Sequence, residues 1–91
     1  MSMHASHPNI IKRLKRAAGH LKSTIQMLED EKSCLDIAQQ LYAVEKAIVN
    51  AKRTLIHDHL DHCLENAQHK ESEHEQLDEK LSEFKEICKY L

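Results

Sequence analysis

Residues 20–91 contain neither glycine nor proline; the one glycine of the chain is Gly19 and the one proline is Pro8. Strands need turns between them, and turns draw on Gly, Pro or an Asn-Gly pair. None is present beyond Gly19, whereas the strong helix formers Leu, Ala, Glu, Lys and Gln are abundant. An all-α chain is the consequence. At 91 residues it forms one domain (1–91), close to the lower limit at which a chain can bury enough apolar surface alone. Association between copies is therefore expected.

Residues 1–7 are polar and read as a mobile arm. Pro8 suits the first turn of a helix, where its missing N–H costs nothing, with Ser6 or His7 at the cap. Ile11, Leu14, Ala18, Leu21, Ile25 and Leu28 then follow the spacing of one apolar helical face. Glu29, Asp30 and Glu31 suit a helix C-terminus poorly, which predicts a first helix over 8–29. Ser33 followed by Asp36 has the form of a capping signal. From Cys34, two apolar stripes run side by side: Ile37, Leu41, Val44, Ile48, Ala51 and Leu55, and Leu35, Tyr42, Val49, Ile56 and Cys63. A face that broad belongs in a bundle core, and it predicts a long central helix over 34–65. Asn66 to Glu75 is polar throughout, and Leu77, Leu81, Phe84, Cys88 and Leu91 mark a short third helix over 76–90.

The formal net charge of −2 conceals an uneven distribution. Asn9 to Gln26 holds five bases (Lys12, Arg13, Lys15, Arg16 and Lys22) and no acid, leaving eight bases against all 15 acids elsewhere, a formal −7. One face of such a domain is suited to a polyanion. No apolar run approaches the roughly 18 residues of a membrane span. The N-terminus also lacks the features of a secretory signal. A soluble, cytoplasmic chain is expected, in which three cysteines point to metal binding, redox chemistry or burial rather than disulfides.

His57-Asp58-His59-Leu60-Asp61-His62-Cys63 is dense in metal-ligand types. On a helix, His59 and Cys63 are four apart and share a face, so both can reach one ion. A further ligand must come from elsewhere. In one continuous helix Cys34 lies about 37 Å from His59 along the axis. The two can meet only between subunits. An antiparallel pair with its two-fold near Ile48 sets Cys34 of one copy beside His59 and Cys63 of the other, giving two equivalent sites in a C2 dimer. Two thiolates and an imidazole form a soft site for Cu(I), Zn(II) or, with further nitrogen ligands, Ni(II). His62 lies about a quarter-turn from Cys63, and His4 and His7 on the arm could fold over the site as extra ligands. The bland reading makes the cysteines small buried hydrophobes and the histidines a solvated face; Cys88, on the third apolar stripe, is most simply core.

These residues resemble a known family. Ile11-Lys12-Arg13-Leu14-Lys15-Arg16 with Gly19 is similar to its first helix, Cys34 with Asp36-Ile37-Ala38-Gln39-Gln40-Leu41 to the start of its second, and His59-Leu60-Asp61-His62-Cys63 to its site motif. This is the CsoR/RcnR/FrmR family of bacterial metal- and formaldehyde-responsive repressors. The resemblance implies an all-helical dimer, an antiparallel four-helix bundle, that pairs into a flat homotetramer. It implies that Cys34 joins His59 and Cys63 of the partner subunit at Cu(I) or Ni(II). It further implies that Arg13 and Arg16 hold operator DNA until the inducer binds; Lys12 and Lys15 beside them are expected to widen the same basic surface. Nickel and cobalt members use a His on the N-terminal arm; Ser2 stands at the matching position, with His4 two residues further on.

Other readings follow from particular residues. Formaldehyde members have Pro at position 2 and lack the second Cys, against Ser2 and Cys63 here. A persulfide sensor would need Cys34 and Cys63 but not His59. A metal buffer would bind the ion without DNA, and a structural adaptor would bind neither. No Ser/His/Asp order, phosphate loop or carboxylate pair suggests an enzyme or a small-molecule substrate.

Overall fold

The computed structural model describes the backbone of residues 5–69 and 74–91, and the side chains of residues 5–62, 79 and 81–91. Three helices make up the described chain: α1 (His7–Glu29), α2 (Cys34–His69) and α3 (His74–Cys88). No strand occurs among the described residues.

Ser6 caps α1, its carbonyl accepting from Ile10 N–H at 3.0 Å, and Pro8 occupies the first turn. At the other end the chain reverses without a glycine. Lys32 N–H bonds to the carbonyl of Met27 at 3.0 Å and Glu31 N–H to that of Leu28 at 3.1 Å, while Glu31 sits at φ 56°. This is the paired 6→1 and 5→2 closure of a Schellman motif, with Glu31 in the left-handed position that glycine usually fills. Ser33 then starts α2, its carbonyl accepting from Ile37 N–H at 3.0 Å.

The short reversal folds α2 back antiparallel to α1, and His20 of α1 hydrogen-bonds Gln40 of α2 across the hairpin. The seam between them repeats every seven residues as far as Ala51, with Ile56 five residues further on. Ile10, Ala17 and Thr24 are buried on α1, and Ile37, Val44, Ala51 and Ile56 on α2. Ala17 and Ala51 keep the side chains short enough for the helices to approach closely. Thr24, 1% exposed, donates its hydroxyl to the His20 carbonyl at 2.9 Å, so its polar atom is satisfied inside the seam.

This seam is displaced from the stripe expected on α1. Leu14, Leu21, Ile25 and Leu28 are exposed, as are Leu41, Ile48 and Leu55 on α2. The hairpin turns Ile10, Ala17 and Thr24 of α1 inward, and the leucines with Ile25 and Ile48 form a second apolar face beside the seam. Leu21, Leu41, Val44, Ile48 and Val49, with Glu45 at the edge, line a groove of about 400 Å³ there. The chain measures 62 × 27 × 14 Å with a radius of gyration of 18.5 Å. A compact chain of this length would have about 12 Å, and among the described residues nothing buries Leu41, Ile48 or Leu55 of that face. α3 turns back along the end of α2. No helix among the described residues is long and apolar enough to cross a membrane.

Glu31→Gly should stabilise the chain. It relieves a side chain held at positive φ and removes an acid from a helix C-terminus, together worth about 1 kcal/mol. The melting midpoint should rise by roughly 4–8 °C in thermal circular dichroism. A lower midpoint would mean that the Glu31 side chain stabilises the reversal by contacts of its own.

Candidate metal centre and basic face

Cys34 is the first residue of α2 and is exposed. His59 lies on the same helix and is half-buried. The helix runs without a break from one to the other, which keeps them about 37 Å apart at 1.5 Å per residue. Cys63 follows His59 by one turn of α2; its side chain lies outside the described residues. Among the described residues no group of three or more His, Cys, Asp and Glu side chains could hold a metal ion. A single subunit therefore offers its ligand types at two distant ends of one rod.

The end bearing His59 is organised by α3. His59 Nε2 lies 3.2 Å from Glu83 Oε1, with 21% of the histidine side chain exposed and 60% of the glutamate's. A carboxylate on one ring nitrogen restrains the rotation of an imidazole. Glu83 of α3 thereby restrains the His59 ring of α2. This fits a soft donor set of one imidazole and cysteine thiolates. Glu83 could not be singled out from the sequence, because the segment from Glu71 onward holds six glutamates and nothing in their spacing marks one of them.

The other candidate ligands are dispersed. His62 is half-buried one residue before Cys63, His57 is exposed, and His7 is half-buried in the first turn of α1. His4 lies outside the described residues. Cys88 ends α3, partly exposed, and forms no disulfide.

Lys12, Arg13, Lys15 and Arg16 are all exposed along α1. No acidic residue lies between Asn9 and Gln26 to neutralise them locally. The face they form is thus free to meet a polyanion.

The family model described as metal-sensitive transcriptional repressor matches residues 6–90. The copper-sensing transcriptional repressor CsoR of Bacillus subtilis is 34% identical over 80 residues, 88% of this chain and 79% of that protein. The CsoR of Mycobacterium ulcerans is 42% identical over 57 residues, 63% of this chain and 49% of its own length. The copper-sensing repressor RicR of Mycobacterium tuberculosis is 36% identical over 59 residues, 65% of this chain and 62% of its own. The chain thus spans about half the length of the mycobacterial CsoR proteins it matches. No solved structure matches it significantly. With the family model covering nearly its whole length, the chain belongs to the metal-sensitive transcriptional repressors of the CsoR/RcnR/FrmR family, which are regulators and not enzymes.

Proposed function

We propose that this chain is a cytoplasmic repressor whose hold on operator DNA is released by Cu(I) at a site shared between two subunits. The observation that carries this reading is the unbroken α2, which separates Cys34 from His59 while leaving Leu41, Ile48 and Leu55 exposed between them. An antiparallel partner seated on that face covers the aliphatic side chains. Each Leu or Ile taken out of water contributes about 1.5–3 kcal/mol. The same packing carries Cys34 of the partner subunit toward His59 and Cys63. The hairpins form a four-helix bundle, and pairs of dimers assemble into a tetramer.

Bound there, a soft ion would join two subunits through thiolate and imidazole ligands. Glu83 holds the His59 ring so that Nδ1 meets it. Cys34, being on the first turn of α2, reports the position of one subunit to the other. Arg13 and Arg16, with Lys12 and Lys15, contact DNA phosphates. Copper is favoured over nickel by the similar proteins, which are named for copper sensing. Ni(II) is the alternative and would call on His4, His7 or His62 for additional nitrogen.

Anaerobic Cu(I) titration of the apo protein bound to a labelled duplex should lower its affinity at least about tenfold. Cys34→Ala should bind the duplex as wild type does and stay bound when Cu(I) is added; a normal response from it would remove Cys34 from the site. A release by Ni(II) alone, with thiolate-to-Ni(II) charge-transfer bands, would move the assignment to nickel.

Glu83→Gln should weaken Cu(I) binding by roughly 10–100-fold, the usual cost of losing a carboxylate behind a histidine ligand. Apo affinity for DNA should not change. Equal metal affinity in a chelator competition would show that Glu83 does not position His59.

Ile48→Asp places a charge at the centre of the exposed face. It should dissociate the assembly in sedimentation equilibrium and abolish metal binding with it. A variant that remains dimeric would show that copies pair through another surface.

A further inference from the structure

Glu45 and Lys52 are exposed on α2, and Glu45 stands at the edge of the aliphatic groove. Among the described residues neither side chain takes part in an ion pair or a hydrogen bond. They cannot serve each other within one subunit. Seven residues place them about 10 Å apart along the helix axis, beyond the three- or four-residue spacing at which side chains of one helix meet. Their positions match those of the candidate metal ligands. At about 100° per residue, positions 34, 45, 52, 59 and 63 fall within a strip of α2 about 40° wide. Of the Asp, Glu, Lys and Arg residues between Cys34 and Cys63, these two alone lie in it. Lys46, whose ammonium sits 5.5 Å from the centre of the Tyr42 ring, and Arg53 point elsewhere.

The aliphatic face cannot choose a register by itself. Leu41, Ile48 and Leu55 recur every seven residues, so an antiparallel partner slipped by one heptad still meets apolar side chains. Only one register brings the ends of the site together. Cys34 and Cys63 are equidistant from the point midway between Ile48 and Val49, and so are Glu45 and Lys52. A two-fold axis at that point carries Lys52 of the partner subunit onto Glu45, and the contact occurs twice. A slip of one heptad in one direction sets Lys52 against its own copy; in the other it sets Glu45 against its own. A parallel pairing does both. Every alternative that the aliphatic repeat tolerates therefore brings like charges together.

We propose that Glu45 and Lys52 are a charge code for self-pairing. The partner is a second copy of this chain, and two reciprocal Glu45–Lys52 ion pairs select the one register that completes the site between Cys34, His59 and Cys63. Both are positioning residues, since neither touches the ion. The proposal rests on the shared-site reading and deepens it, because it names what aligns the two subunits. An exposed ion pair contributes little by itself. The discrimination comes from the repulsion that each wrong register would incur, as it does between the flanking charges of coiled coils.

Isotope-labelled and unlabelled full-length chains are refolded together and treated with a carbodiimide, which condenses a carboxylate and an ammonium in direct contact into an amide. Peptide mass spectrometry should find Glu45 joined to Lys52 between a labelled and an unlabelled chain. Glu45→Lys and Lys52→Glu each bring like charges together at both pairs. In sedimentation equilibrium each should raise the dissociation constant of the dimer at least about tenfold. Mixed in equal amounts, the two variants should pair with one another, because both contacts are then between opposite charges. The double variant Glu45→Lys with Lys52→Glu should pair as wild type does, and Cu(I) affinity should fall and recover in step. No cross-link between chains, or single variants that pair as tightly as wild type, would overturn the proposal. If a single variant loses helicity by circular dichroism, the mixture and the double variant decide: failure of both to recover pairing overturns it. A cross-link with normal charge-swap rescue, but no release of DNA by Cu(I), would sink the repressor reading and leave the pairing standing. Release by Cu(I) that survives Glu45→Lys, with pairing unchanged, would do the reverse.

Discussion

Everything in this molecule depends on one helix that nothing interrupts. α2 runs from Cys34 to His69, about 54 Å at 1.5 Å per residue. Its carbonyls and N–H groups satisfy one another along the way, so there is no energetic reason to bend, and no Gly or Pro offers a place to do so. The two ends of such a rod are permanently out of each other's reach. Ligands placed at both ends can serve a common ion only through a second subunit. On the proposed reading, helix continuity does more than shape the fold: it makes oligomerisation a condition of the site.

Helix continuity was also the most legible property of the sequence. The absence of Gly and Pro beyond Gly19, the Ser33–Asp36 start signal and the broad apolar periodicity all point to the long central helix that the structure contains. The separation of Cys34 from His59 follows from counting residues once that helix is accepted. The family, too, was readable from the spacing of Cys34, His59 and Cys63 with the basic opening of α1. Local chemistry written in consecutive residues survives translation into three dimensions with little ambiguity.

What could not be read was which of two adjacent stripes each helix turns inward. On α1 the hydrophobic periodicity favours Leu14, Leu21 and Ile25, yet the hairpin buries Ile10, Ala17 and Thr24. The reason is steric. Two helices joined by a short reversal pack best through small side chains, and Ala and Thr carry little weight in any count of hydrophobicity. Leu14, Leu21, Leu41, Ile48 and Leu55 stay on a broader surface beside the seam, although Ile10, Ile37 and Ile56 are buried in it. The short reversal shows the same limit: Glu31 at positive φ is invisible to rules that look for Gly. Glu83 is harder still, since its role arises only when α3 folds back on α2 and brings one glutamate of six to His59.

The two flanks of the hairpin suggest how metal and DNA come to be coupled on the proposed reading. The aliphatic flank faces a partner and carries the metal ligands at its ends; the basic flank takes phosphate on Arg13 and Arg16. Both depend on the register of α1 against α2. Metal bound across subunits favours the register that suits its ligands. If that register differs from the one that suits phosphate, linkage requires each ligand to weaken the other by the same factor. The His20–Gln40 bond joins α1 to α2 on the basic side of the seam.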